Sequence, residues 1–424
     1  MAPKRLLLAP LLTCTLAACA AERVTTIDDT IIPGQLEVWS GGVVDLYSRA
    51  FVGRDTLPVV LFGAETLAVA PRDTFVVRVQ LPDTVAGLLP LDVRLADGVA
   101  RPAVAVTAHG FAGWRAGPDL AGLPQRTPDG AMLAVGDGGT VRVLPWAGTA
   151  ESLTPQPLAD TACTLTPGLS LVPGVVISSG RNGRAFTDPC RYYAWNTTGT
   201  ASVVDSAPYG SAFSAAYLGP GRWLINTKHN TWAIVGGVTT DLGQLEEPDE
   251  FVADSAGRFL VPNLTADFAG VPVYATATAS IAYRVAGQRG IGGVGFSRGG
   301  DTLFVAGAQM VVGGGPARLL ALDARDGHVL REAPLEGFGG GYMVVEPERP
   351  WIYLVDGLRV LVVDRRTLAV VARMRPPEAA PALISWDDVL VPLLGPGNRL
   401  YVVDVHAWRD APKPTGVYEF ALLP

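Results

Sequence analysis

Hydrophobic positions in the last third of this chain fall in runs of about five residues, the ordinary length of a β-strand. One set comprises Thr302–Ala306, Leu319–Asp323 and Val329–Glu332, and a second comprises Trp351–Val355, Val360–Asp364 and Ala369–Arg373. A third begins at Trp386 and continues through Leu400–Asp404. Each set has the same order: a turn rich in Gly, Pro, Asp or Arg, a strand, a loop, an apolar strand ending in Asp, then a turn and a further strand. β-Branched and aromatic residues dominate the runs, and no long segment keeps a helical period. Asp323, Asp364 and Asp404 stand 41 and 40 residues apart. A carboxylate at a strand end can accept the N–H groups of the turn that follows, so these three aspartates are expected to be turn formers.

A period near 40 built from short strands and turns predicts β-propeller blades, which bury their apolar faces against one another. Phe296-Ser-Arg-Gly-Gly-Asp-Thr-Leu-Phe-Val-Ala and Val345-Glu-Pro-Glu-Arg-Pro-Trp-Ile-Tyr-Leu-Val carry a turn followed by an apolar strand, and Val360-Leu-Val-Val-Asp364 carries the strand ending in Asp. This arrangement resembles the propeller family with a YVTN-type repeat, a resemblance that implies a fold rather than a reaction. Upstream, Pro128–Gly136 with Thr140–Pro145, Leu169–Asp205, Ser211–Gly243 and Asp249–Gly287 are further candidate blades. The expected propeller covers residues 111–424 in about seven blades, with Gly416–Leu423 completing the last and helping to close the ring.

Residues 35–110 read differently. Strands alternate and turn signals recur about every ten positions, as in a β-sandwich. Gly41-Gly-Val-Val-Asp-Leu-Tyr, Phe51, Leu57-Pro-Val-Val-Leu-Phe-Gly, Val76-Val-Arg-Val-Gln-Leu-Pro, Gly87 and Leu91-Asp-Val-Arg-Leu-Ala-Asp-Gly occur in that order. The order resembles the immunoglobulin-like IPT/TIG family, with a departure at Ser48-Arg49-Ala50-Phe51, where that family has a Gly. The expected fold class is therefore all-β: a small immunoglobulin-like sandwich followed by a propeller.

The first residues supply an address. Lys4 and Arg5 precede the apolar run Leu6–Leu16, which is too short to span a bilayer, and Leu16-Ala17-Ala18-Cys19 follows. This resembles a bacterial lipoprotein signal. The resemblance implies a signal peptide over 1–18, acyl chains on Cys19, a membrane partner and, since Ala20 follows the Cys, outer-membrane localisation. Residues 19–34 are expected to be a polar tether.

Composition narrows the function. The chain carries a net charge of −7, and only Lys4, Lys228 and Lys413 are lysines. With no basic cluster, nucleic acid is not an expected partner. Cys163 and Cys190, 27 residues apart in an exported chain, are expected to form a disulfide. The four histidines, His109, His229, His328 and His406, show no metal-ligand spacing, and neither His-Glu-x-x-His nor Gly-x-Ser-x-Gly occurs. The Gly313–Gly315 and Gly339–Gly341 runs are expected to be loop glycines. No catalytic residue, metal ligand or cofactor is assigned. The chemically densest stretch is Trp223–Trp232, where Asn226, Lys228, His229 and Asn230 form a candidate ligand loop ahead of the acidic Glu246, Glu247, Asp249 and Glu250. These features point to a lipid-anchored, non-catalytic platform for a protein or glycan. The alternatives are a propeller enzyme, either a lactonase-like hydrolase or a metal- or quinone-using enzyme, and a structural subunit of an envelope complex.

Overall fold

The computed structural model describes residues 30–52, 56–96, 100–103, 105–116, 125–126, 132–136, 140–144, 151–152, 164–181, 191–196, 203–208, 212–227, 230–244, 250–263, 270–285, 291–307, 317–336, 338–377, 389–395, 397–405 and 416–423. Cys19, Cys163, Cys190, Lys228 and His229 lie outside the described residues. The chain divides into two compact units, one ending at Gly110 and the other beginning at Phe111.

Three sheets enclose one core in the first unit. One sheet orders Ile32–Pro33, Val43–Tyr47, Val76–Gln80 and Val69–Asp73, and a second orders Ala100–Pro102, Asp92–Arg94, Val59–Phe62 and Glu65–Leu67. The third sets Val106–His109 between Glu37–Trp39, which runs parallel to it, and Gly87–Leu89. Alternation decides which side chains enter the core, because successive residues of a strand point to opposite faces. Val77 and Val79 are buried, with Val44, Leu46, Val60, Leu91 and Val93, whereas Gln80 stays exposed. Arg78 lies half-buried between them and pairs Nε with Asp45 Oδ1 at 2.9 Å. The departure at Ser48 has a local cause: Ser48 Oγ accepts the Ala50 N–H at 3.2 Å and caps a short 3-10 turn that delivers Phe51 into the core. The expected tether ends earlier than residue 34. Ile31 is fully buried, and Ile32–Pro33 already pairs with Leu46–Tyr47.

In the second unit, four-stranded antiparallel sheets follow one another along the chain: within 125–152, 164–208, 212–244, 250–285, 291–334 and 343–374. The last is assembled from both ends of the unit. Val389–Gly395, Arg399–Val405 and Gly416–Ala421 pair in order, and Phe111–Ala116 adds the outer strand against Gly416–Ala421. The first strand of each sheet lies against the first strand of the next, and Leu169–Ser170 even pairs in parallel with Ala216–Tyr217.

Burial on both faces explains why these strands read as unbroken apolar runs. Leu303 and Val305 face the layer shared with Val261, Val271 and Val273, whereas Phe304 and Ala306 face the layer shared with Ile352, Leu354 and Val363. The Gly339–Gly341 run proves to be more than a loop. Gly341 N donates to Gly292 O at 2.8 Å, and a Cβ on Gly292 would lie 2.7 Å from Gly340 Cα. Two backbones are in direct contact there, which only glycines permit.

The repeat aspartates differ among themselves. Asp364 Oδ1 accepts the N–H groups of Arg366 and Thr367 at 2.7 and 2.9 Å. Asp323 accepts the Arg325 N–H at 2.9 Å and also pairs with the Arg325 guanidinium. Asp404, by contrast, sits inside the strand Arg399–Val405 opposite Leu390 and is fully buried, so it closes no described turn. The hydrogen bonds from the Arg325 side chain and backbone pull the Asp323 carboxyl down to about 2. Because its pKa is depressed on folding, its contribution is complete above the unfolded value of about 4 and is lost as pH falls towards 2. Asp323→Asn is therefore expected to flatten the acid limb of the stability profile between these values, which a series of pH-dependent melts would check.

Candidate functional site

Strand order gives each sheet of the second unit two unlike ends. At one end lie the turns between first and second strands, such as 254–258, 297–301 and 346–350, and between third and fourth strands, such as 236–237 and 365–369. At the other end lie the remaining strand ends, among them the pairs Gly307 and Arg318, Met374 and Val389, and Val405 and Gly416, each separated by ten or more residues of sequence.

The tight-turn end is laced by arginines reaching to the next sheet. Arg222 donates to Thr276 O, Arg258 to Gly299 O at 3.0 Å, Arg298 to Glu348, and Arg349 to Asn398 Oδ1 at 3.2 Å. Carboxylates anchor some of these arms. Asp254 is buried and accepts Phe259 N–H at 2.8 Å and Arg258 Nε at 2.9 Å. Glu346 accepts the Tyr353 hydroxyl at 2.6 Å and Arg349 Nε at 2.6 Å. Burial, and then this hydrogen bond, push the Tyr353 phenol far above its ordinary range, so Tyr353 acts here as a donor and not as a base. The arrangement fastens sheets together and leaves little room for exchange.

The long-connection end holds polar groups of another kind. Asn226, fully buried, donates Nδ2 to Ser214 Oγ at 3.0 Å and accepts Thr231 Oγ1 at 2.7 Å, and Thr231 accepts the Tyr274 hydroxyl at 2.9 Å. This chain joins the 212–244 sheet to the 250–285 sheet inside an apolar layer of Leu224, Ala233 and Leu260. Buried networks of this sort are costly to break, because each lost partner leaves a polar group without water. Asn226→Ala is expected to destabilise the chain by about 2–3 kcal/mol, read from denaturant midpoints, with Asn226→Asp no better tolerated. One sheet further on, Asn263 Nδ2 approaches Glu250 Oε1 at 3.4 Å, and both residues are buried.

The candidate ligand loop is thereby divided. Asn226 points into the layer between sheets. Asn230, adjacent to Thr231 and so turned to the opposite face, donates Nδ2 to Asp241 Oδ2 at 2.7 Å on the exposed side. Thr227 Oγ1 accepts the Asn230 N–H at 3.1 Å and closes the turn. The two asparagines therefore do not line one pocket. Ser214, Thr231, Tyr274 and Asn263 escaped sequence reasoning. A signal existed, since each is an asparagine that follows an apolar run in a second strand, Asn226 after Trp223–Ile225 and Asn263 after Phe259–Pro262. Among the described residues, no group of three or more His, Cys, Asp or Glu side chains is placed to hold a metal ion.

No protein-family model matches the sequence, and no curated protein matches it significantly. Solved structures do resemble it. A chain of the mitotic checkpoint complex superposes with a TM-score of 0.51 at 10% identity, covering 74% of this chain and 93% of its own. The β-propeller domain of Myceliophteria thermophila Cps50 (Swd1) gives a TM-score of 0.51 at 10% identity, covering 74% of this chain and all of its own. At this identity the likeness concerns the fold alone. This is an all-β chain that carries a β-propeller.

Proposed function

We propose that this protein is an exported, lipid-anchored binding platform that recognises a protein or glycan through the long-connection end of a seven-bladed propeller, without catalysis of its own. The observation that carries the reading is the backbone contact between neighbouring inner strands, at Gly292 with Gly341 and at Leu169–Ser170 with Ala216–Tyr217. Where first strands touch this closely, recognition falls to the connections, the part of a rigid scaffold that most readily varies. The tight turns at the other end are committed to inter-sheet bonds. The similarity to a propeller chain that belongs to a mitotic checkpoint complex supports assembly with other proteins as the use of this fold. The first unit, of IPT/TIG-like type in this reading, is a spacer between the lipid on Cys19 and the propeller.

The test is the intact mass and elemental content of the mature chain purified from membranes. The expected result is an acylated Cys19 with no stoichiometric metal or organic cofactor. A stoichiometric metal or cofactor would overturn the non-catalytic reading in favour of a propeller enzyme.

The same spectra check Cys163 and Cys190. Each immediately precedes a strand of one sheet, Thr164–Ser170 and Arg191–Asn196, and both strands start at the long-connection end. A bond between them makes the chain two hydrogens lighter than the dithiol. Its reduction is expected to cost about 3 kcal/mol for a loop of this length, seen as a lower denaturant midpoint in reductant.

A further inference from the structure

Among the described residues, fifteen large apolar side chains are exposed, and nine of them belong to the first unit. They are not scattered evenly. Ile32 lies opposite Tyr47 in the antiparallel pair, and Tyr47 lies opposite Val76. Phe75 precedes Val76 and accepts the Ser48 N–H through its carbonyl at 3.0 Å. Ile32 and Tyr47, 43% and 44% exposed, begin a row across one end of this sheet that continues through the buried Val76 to Asp73, with Phe75, 48% exposed, in the turn between the last two. Tyr47 is held in place, because its ring packs on Gly34, where a Cβ would come within 2.8 Å of Cε2. The neighbouring positions carry balanced charge: Asp45 pairs with Arg78 and Arg72, both partly exposed, and Asp73 follows Arg72 on the edge strand. Exposed aromatic and aliphatic side chains near arginines match the chemistry of a membrane–water interface, where amphipathic rings and basic side chains reside together.

The direction of the chain selects the occupant. Ile32–Pro33 is the edge strand of this sheet, so the polypeptide enters the unit beside the row. Thr30 is only eleven residues beyond Cys19. Even fully extended, that length spans no more than about 40 Å, so a lipid on Cys19 keeps this edge of the sheet close to the bilayer. We infer that Ile32, Tyr47 and Phe75 form a second, non-covalent membrane contact, which lays this sheet of the first unit on the phospholipid surface. The inference rests on lipid anchoring at Cys19. Each further apolar contact adds to the hold of the acyl chains on Cys19.

The test uses the mature chain from Ala20 onward, made without lipid, and flotation with vesicles of phosphatidylethanolamine and phosphatidylglycerol. The unlipidated chain is expected to float, and Tyr47→Asp with Phe75→Asp to reduce bound protein by about tenfold or more. Val238→Asp, which alters an exposed residue of the second unit, should leave flotation unchanged. All three residues are exposed, so circular dichroism should show the fold retained. Absence of flotation by the parent chain, or equal flotation of the double variant, overturns the inference. Lipid anchoring is judged separately from the acyl mass on Cys19, so the two readings can fail independently.

Discussion

Truncation after Thr415 is expected to abolish cooperative folding of the second unit. The deleted strand, Gly416–Ala421, pairs on one side with Arg399–Val405 and on the other with Phe111–Ala116. It is the element that ties the beginning of the unit to its end. Val417, Phe420 and Leu422 are all buried, and at about 1.5–3 kcal/mol each they contribute roughly 5–9 kcal/mol, before Tyr418, which is fully buried, is counted. That sum rivals the entire stability of a typical domain, about 5–15 kcal/mol. Two sheet edges would also be left open to pair with other chains. Circular dichroism melts of the full and truncated chains would check this: the truncated form should lose its main transition and aggregate, and an unchanged melt would show that Phe111–Ala116 closes nothing.

The second large effect is expected at Gly341. A Cβ there would fall 1.7 Å from Val355 O, well inside contact distance, with backbone on the other side of the clash. The Gly341 N–H also makes the bond to Gly292 O. Neither partner is a flexible side chain, so relief requires the backbone at Gly341 to move off Trp351–Asp356, the next strand of its own sheet, and puts the bond to Gly292 at risk. Gly341→Ala is expected to cost about 4 kcal/mol or more, the range reserved for broken cores and strained backbones. Gly357→Ala is the control. Its φ of 56° is left-handed, but nothing lies within 4 Å of the added Cβ, so the expected cost is about 1–2 kcal/mol. Urea midpoints for the two variants separate steric exclusion from backbone conformation.

These two effects mark where sequence reading stops. The all-β class and the propeller were legible because Leu303–Ala306 and Ile352–Val355 are apolar at every position, as strands buried on both faces must be. The turns after Asp323 and Asp364 are local, involving residues only two or three positions apart, and so could be anticipated from the chain alone. The pairing of Phe111–Ala116 with Gly416–Ala421 could not, since no local pattern encodes a partner some three hundred residues away. The Gly339–Gly341 run looks the same in sequence whether it turns or admits a neighbouring backbone, and only the packing distinguishes the two. Asn226 and Asn230 seemed to belong together because they are four residues apart. A tight turn and the two-residue period of strands placed them on opposite faces, one among Ser214, Thr231 and Tyr274 and the other against Asp241.

Recognition is expected at the long-connection end of the propeller. Photocrosslinking amino acids placed singly at Asn230, at that end, and at Arg325, in a tight turn at the other, test it in the full chain in its native envelope. The expected result is a discrete adduct from position 230 and none from position 325. Adducts confined to position 325, or equal at both, would contradict the claim and move the binding surface to the arginine-laced end.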